Sequence, residues 1–283
     1  MIDKSTYLHV KDHSVSGETF QLKFNSELDM LETYPQPEID KLGDYYESDD
    51  YISHTDAKRN LFEKVYHFIK SIALKRKLKL INAFNTETKT LLDIGCGTGD
   101  FLKTAREDQW KVYGIEPNES ARNIANQKVE QDVFDTNHLS QFETQTFDVI
   151  TLWHVLEHLP DLEEYLTQIQ RLLKPKGRLV IAVPNFKSYD AKYYQNFWAA
   201  YDVPRHLWHF SQGSISKLMK QHQMEIENTH PMIFDAYYVA LLSEKYKKGF
   251  MNPIVAFWIG FKSNLKAKRS GEYSSMIYVI KKS

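Results

Sequence analysis

The stretch TLLDIGCGTGD, residues 90–100, constrains this chain more than any other. An apolar run, Leu91-Leu92-Asp93-Ile94, leads straight into three alternating glycines, Gly95, Gly97 and Gly99. Such glycines let a backbone approach a ligand without β-carbons in the way. A helix is expected to begin near Thr98, and the free N–H groups of its first turn favour an anionic group. Strand, glycine loop and helix in that order belong to an α/β sheet that binds its ligand at the carboxyl ends of the strands. The dinucleotide fingerprint places its third glycine three residues after the second. That position is Asp100 here, so the loop is glycine-rich without being the NAD pattern.

The rest of the chain fits the same architecture. From residue 89, strand and helix alternate: TLLDIG, a helix near 98–107, KVYGIEP, and a helix near 118–128. A short strand ending near Asp132 follows, then FDVITLW, a helix over 161–173, and GRLVIAVP. Apolar strands in repeated β-α units predict a parallel sheet covered by helices on both sides. Helices are expected near 188–199, 211–221 and 235–262, with Ser211 as an N-cap, and strands near 224–234 and 274–281. Residues 54–84 carry Leu61, Val65, Phe68 and Ile72 at helical spacing, with Thr55 or Asp56 as a cap. The run Lys75-Arg76-Lys77 reads as a solvated face of that helix, with phosphate contact the alternative. Residues 1–55 are polar, punctuated by Pro35 and Pro37, and read as a small β-containing arm or cap rather than a separate domain.

Composition excludes several classes. Lys plus Arg is 36 and Asp plus Glu is 37, net −1, so the whole chain offers no electrostatic case for a nucleic acid or an anionic surface. A 42% hydrophobic content suits a sizeable core. The single cysteine, Cys96, permits neither an intrachain disulfide nor a cysteine-based zinc site, and a reducing cytoplasm is the expected location. The first residues lack the apolar core of a secretory leader. The run PIVAFWIGF (253–261) has about half the length needed to span a bilayer, and reads as a buried or amphipathic helix.

Two acids then point to the ligand. Asp93 lies near the end of a strand expected to be buried on both faces, where a carboxylate needs donors or a cation. Glu116 ends the next strand, 21 residues after Gly95, where an acid accepts from both hydroxyls of a ribose. A ribose together with a zwitterionic amino-acid moiety fits both acids better than a pyrophosphate does. S-adenosylmethionine has both, plus a cationic sulfonium.

Over residues 89–185 the chain resembles the class I S-adenosylmethionine-dependent methyltransferases. The motifs are LLDIGCGTGDFL, VYGIEPN, VEQDVFD, FDVITLWHVLEHLPD and LLKPKGRLVIAVPN, in that order, with VPRHLWHFS (203–211) a further mark of the type 11, 12 or 23 group. This group is related to ubiquinone-pathway and surface-sugar methyltransferases. The resemblance implies a Rossmann-like, seven-stranded, mostly parallel sheet sandwiched by helices, the last strand antiparallel. It implies a methyltransferase domain over 56–283, its cofactor core at 89–185 and substrate-side helical insertions at 186–262. It places Asp93, Gly95, Cys96, Gly97 and Gly99 around the methionine end and Glu116 on the ribose. Asp132 would lie on the adenine amino group with Val133 or Phe134 in backbone contact, Pro117 and Phe134 would flank the adenine, and Trp153 and His154 would sit beside the transferred methyl. Cys96 reads as a small filler in the loop rather than a nucleophile, and Asp132 has a solvated turn as its alternative.

The segment HVLEH offers His154, Glu157 and His158 at spacings that would place them on one helical face. Some relatives with an acid at the first place are thought to bind a divalent metal there; here that place is His154, so no metal is expected. His154 is the first candidate base or substrate contact, with His158 beside it; the alternative is that Glu157 and His158 tie the loop to neighbouring backbone. In YDVPRHLWHF, Arg205 can pair with a substrate anion or with Asp202, and His206 is the second candidate base. Tyr45, Tyr46, Tyr51 and His54 fall where similar proteins carry a lid; Tyr51 would face the sulfonium, with plain packing of the tyrosines the alternative. Some relatives begin with a four-cysteine zinc ribbon. The comparable stretch here has no cysteine, and His9 with His13 cannot complete a tetrahedral set, which predicts a metal-free remnant packed by apolar contacts.

The expected activity is methyl transfer to an O, N or C atom of a small molecule: quinone-like, lipid-linked or a sugar. The alternatives are an RNA or protein methyltransferase, for which Lys75–Lys79 and Lys262–Arg269 could form a local patch, and a non-catalytic binding module that kept the cofactor fold.

Overall fold

The β4 strand Thr90–Ile94 is buried at every residue, as its apolar run requires, and forms the middle of the main sheet. The computed structural model describes residues 5–46 and 61–283, the side chains of 61–68 excepted. Three earlier strands, β1 (Thr6–Lys11), β2 (Thr19–Asn25) and β3 (Met30–Tyr34), form an antiparallel meander, followed by a short helical turn at Ile39–Tyr46. Helix α1 (Leu61–Asn82) leads into β4.

After β4 the units follow in the expected order: α2 (Asp100–Glu107), β5 (Lys111–Ile115), α3 (Glu119–Val129), β6 (Val133–Phe134), β7 (Phe147–Trp153), α4 (Leu162–Leu172) and β8 (Leu173–Pro184). Asp161 caps α4 by accepting from the Glu164 N–H, and Leu162, Leu166, Ile169 and Leu172 form its inward face. The later elements are α5 (Tyr189–Tyr194), β9 (Trp208–His209), α6 (Gln212–Gln221), β10 (Met224–Pro231), α7 (Asp235–Lys248), α8 (Pro253–Ser270) and β11 (Ser275–Lys282). The main sheet has seven strands in the order β10-β11-β8-β7-β4-β5-β6. Strand β11 is antiparallel to both of its neighbours, and the pairs from β8 to β6 are parallel. This is the mostly parallel, helix-flanked architecture expected from the sequence.

The chain moves outward from β4 to β5 and β6, then crosses back to β7. The carboxyl ends of β4 and β7 are therefore the switch point at which such sheets bind ligands. Asp93 pairs in register with Gly114 on one side and Thr151 on the other.

Three expectations need correction. The helix expected near 188–199 stops at Tyr194; short helical turns follow, and they bury Trp198, whose indole donates to Asp190 at 2.8 Å. The single helix expected at 235–262 is two helices. Gly249 takes a left-handed conformation that ends α7, and Asn252 caps α8 with Pro253 in its first turn. The strand expected to end near Asp132 instead follows it, and Asp132 is exposed.

The motif VPRHLWHFS supplies β9, which joins the edge of β3 and completes a second, four-stranded antiparallel sheet. The Thr33 N–H donates to the Leu207 carbonyl at 3.0 Å, and its hydroxyl donates to the His206 carbonyl at 2.6 Å. Among the described residues, no helix is long and apolar enough to cross a membrane.

Candidate active site

The site grows out of the β4 loop. Gly95 and Cys96 donate their N–H groups to the Ile115 carbonyl at 2.7 and 3.1 Å, which folds the loop back over the end of β5. Gly95 has φ +69°, and a β-carbon there would lie 2.4 Å from the Val155 side chain. Gly97, at φ +55°, would instead point a β-carbon into open space. That space is where a ligand can approach the backbone. Gly99 caps α2. The Cys96 thiol turns under the loop toward Gly114, and burial raises its pKa, so its side chain packs rather than reacts.

Glu116 is buried at the end of β5. One carboxylate oxygen accepts from the Gly97 N–H at 2.8 Å and the other from the Asn118 N–H at 2.9 Å. This acid is locked in position against the glycine loop. Burial nonetheless raises its pKa, outweighing those two bonds and the nearby Arg122. Pro117 is exposed beside it. Phe134 is half-buried, with one face stacked on His138 at 3.8 Å between ring centres. Asp132 stands in solvent just before Val133, which is buried.

Asp93 accepts from the Thr151 hydroxyl at 2.5 Å. Burial pushes its carboxyl up to about 7, against the pull of that bond and of Lys77. Lys77 comes from the basic run of α1, and here the solvated-face reading fails for one of its three residues. Its ammonium lies 4.3 Å from the centre of the Trp153 ring, and burial lowers its pKa to about 8, with Asp93 and Asp235 opposing. Trp153 packs edge-on against Phe101, and its buried Nε1 has no hydrogen-bond partner among the described residues. Asp100, at the place of the dinucleotide glycine, pairs with Lys128 at 2.7 Å and Lys70 at 2.6 Å, so α1 is clamped over the loop.

The HVLEH segment is not one helical face. His154 has φ +57°, and the helical turn covers only Leu156–His158. His154 Nδ1 lies 3.3 Å from Glu157 and Nε2 lies 3.2 Å from Asp235 of α7. Burial alone would lower its pKa, but the two carboxylates lift it to about 10. His154 is therefore protonated at neutral pH, which corrects its reading as a free base. His158 Nδ1 meets the Tyr46 hydroxyl at 2.9 Å and the Arg205 carbonyl at 3.1 Å, and burial lowers its pKa to about 4.

His206 is buried, with Nδ1 on the Ala200 carbonyl at 2.9 Å, and its ring packs edge-on against His158. Arg205 is paired bidentately with Asp202 and also reaches the Tyr45 carbonyl, so it is a strut rather than an open anion receptor. Glu157, His158 and His206 bring ligand atoms within 4.8 Å of one another, close enough to share a cation. The charge compensation visible at Glu157 comes from His154 instead. Tyr51 and His54 lie outside the described residues.

Sequence reasoning missed Thr151, Lys77 and Asp235. Thr151 had a signal, a hydroxyl inside the apolar strand FDVITLW; the other two are brought in only by the fold.

Comparison with known proteins gives the same direction. The profile of the methyltransferase-domain family matches residues 62–229, more than half of the chain. A ubiquinone biosynthesis O-methyltransferase of Coxiella burnetii is 30% identical over 134 residues, covering 44% of this chain and 56% of that relative. A demethylmenaquinone methyltransferase of Lactiplantibacillus plantarum is 39% identical over 101 residues, 32% of this chain and 43% of the relative. The chain thus spans about half the length of these curated relatives.

Among solved structures, magnesium protoporphyrin IX methyltransferase from Synechocystis PCC 6803 superposes with a TM-score of 0.55 at 16% identity, covering 85% of this chain and 97% of that one. Geranyl diphosphate C-methyltransferase from Streptomyces coelicolor A3(2) gives 0.55 at 15% identity, covering 81% and 86%. These two likenesses establish the shared fold. With the profile match over most of the sheet and the glycine loop, the chain belongs to the methyltransferase-domain family.

Proposed function

We propose that the chain is an S-adenosylmethionine-dependent methyltransferase acting on an O, N or C atom of a small-molecule acceptor. The observation that carries this reading is the set of groups at the ends of β4, β5 and β7. Glu116 is held against the open Gly97, Asp93 and the Lys77 ammonium bring opposite charges together, and Trp153 holds an unpartnered buried donor. A ribose with a zwitterionic tail matches that set. S-adenosylmethionine supplies a methyl group already activated on sulfur for in-line displacement.

The protein's own part is alignment and desolvation, which together can lower a barrier by several kcal/mol up to about 10. Glu116 would accept from the ribose hydroxyls with the lone pairs its two backbone bonds leave free. Asp93 would face the ammonium of the methionine end, directly or through water, and Lys77 its carboxylate. Asp132, exposed before β6, would accept from the adenine amino group, and Phe134 would offer its uncovered face to the ring. His154 would hold a proton between Asp235 and Glu157 and so tie α7 to the end of β7. An imidazole that accepts a proton would be His158, which burial keeps neutral at pH 7.

The names of the curated relatives support a quinone-like acceptor, with lipid-linked and sugar acceptors as the wider class. The arm of residues 1–55 would be a cap on the methyltransferase domain of 56–283, and the enzyme would work in the cytoplasm. Incubation with methyl-labelled S-adenosylmethionine and a panel of hydroxylated quinone headgroups tests the reading. Label transfer that needs Glu116 is expected. A folded protein that neither binds S-adenosylmethionine nor transfers label would overturn it.

A further inference from the structure

The run PIVAFWIGF, which the site does not use, opens α8, and α8 is packed in an unusual sense. Its inward face is made mostly of small residues, Ala256, Gly260, Ser263 and Ala267, with Ile259 beside them. A β-carbon on Gly260 would come within 2.7 Å of the Tyr237 ring, so the helices approach closely there. Ser263 donates to the buried Asp190 at 2.6 Å, which fixes the rotation of the helix.

The large apolar residues are therefore left outside. Ile254, Phe257, Trp258, Phe261 and Leu265 recur at spacings of 3, 1, 3 and 4 and fall on one stripe about 100° wide. Ile254 is 72% exposed and Trp258 60%. The preceding loop adds exposed Phe250 and Met251. Surface helices turn such a stripe inward, and a contiguous exposed patch of this kind marks an interaction surface.

The charge around the stripe says what it meets. Helix α8 carries four basic residues and no acidic one. Across 235–270 there are seven Lys or Arg against two acids, in a chain whose net charge is −1. Of those acids, Glu244 is buried and Asp235 is held by His154. Lys262 and Lys266 flank the stripe with their ammonium groups over Tyr189, and Lys268 and Arg269 close its end. A second copy on a two-fold axis would bring two positive rims together, which disfavours self-association. An anionic bilayer matches both the apolar stripe and its rim. Trp sits well at the interface, and lysines reach out to the phosphates.

We propose that the outward face of α8 docks in the plane of an anionic lipid surface, with Phe257, Trp258 and Phe261 entering the headgroup region. Helix α7 begins at Asp235 beside His154, so the docked hairpin borders the candidate site. The acceptor class that follows is an amphipathic molecule held in that bilayer. This last step rests on the methyltransferase reading; the docking does not.

Flotation with phosphatidylcholine vesicles, and with vesicles also containing phosphatidylglycerol, tests the docking. The expected result is binding to the anionic vesicles that weakens with salt and falls about tenfold or more in the W258E/F261E double variant. S-adenosylmethionine affinity and circular dichroism should be unchanged in that variant, since both side chains are exposed. Absence of binding to anionic vesicles would overturn the proposal. So would binding that the double variant leaves intact, or a concentration-dependent dimer that the same variant abolishes. Docking without any methyl transfer would count against the enzyme reading alone.

Discussion

At the scale of single residues, the site is a balance of buried charges. Burial raises the Asp93 carboxyl to about 7, outweighing the Thr151 bond and the Lys77 charge. An ammonium bound there favours the ionised carboxylate, so below about pH 7 binding must first displace a proton. The dissociation constant for S-adenosylmethionine should then rise as pH falls, approaching tenfold per unit, and level off above that value. Calorimetry across the range measures it, and a flat profile would remove Asp93 from the ammonium's contacts. Lys77 makes a separate prediction. If it meets the carboxylate of the ligand, Lys77→Ala should weaken binding about tenfold or more. Unchanged or tighter binding would mean that the ammonium only fills the cleft over Trp153. Asp93 was legible as a buried acid in an apolar strand, but the role of Lys77 could not be read from spacing. Lys77 looks like one of three solvated charges until α1 is laid across the end of the sheet.

At the scale of elements, tight loops and helix ends do the positioning. Gly95 shows this most sharply, because its left-handed backbone and the Val155 side chain both exclude a β-carbon. Gly95→Ala should lower stability by about 2 kcal/mol or more, visible as an earlier urea midpoint. An unchanged midpoint would mean that the loop relaxes without strain. The alternation of apolar strands with amphipathic helices was legible from residue 89 onward, because β4 and β7 are mostly apolar runs and α3, α4 and α6 begin at side-chain caps. The break at Gly249 and Pro253 carried the usual signals of a helix end and a helix start, but the apolar run 253–261 masked them. The outward stripe of α8 was not legible, since only the fold shows that its small residues face in. Strand β9 was hidden in a motif that reads as a substrate loop, and its partner β3 lies far away in the sequence. Asp235 meets His154 for the same reason, across a separation that no local pattern reports.

At the scale of the molecule, two sheets share one piece of chain. The segment that follows Asp202 completes the N-terminal sheet through β9, and its Leu207 N–H donates to the Glu157 carbonyl at 2.8 Å. The arm, the HVLEH turn and the α7–α8 hairpin are thus tied to the carboxyl end of the main sheet, where any acceptor must approach. That arrangement has meaning only if the carboxyl ends of β4, β5 and β7 hold a nucleoside with an amino-acid tail. The most direct test is calorimetric titration of S-adenosylmethionine into the protein and into a folded Glu116→Ala variant, with NAD as the control ligand. Binding to the protein is expected, with weakening of about 100-fold in the variant through loss of the charged ribose contacts and no heat with NAD. Binding that Glu116→Ala leaves unchanged, or no binding at all by the folded protein, would contradict that expectation.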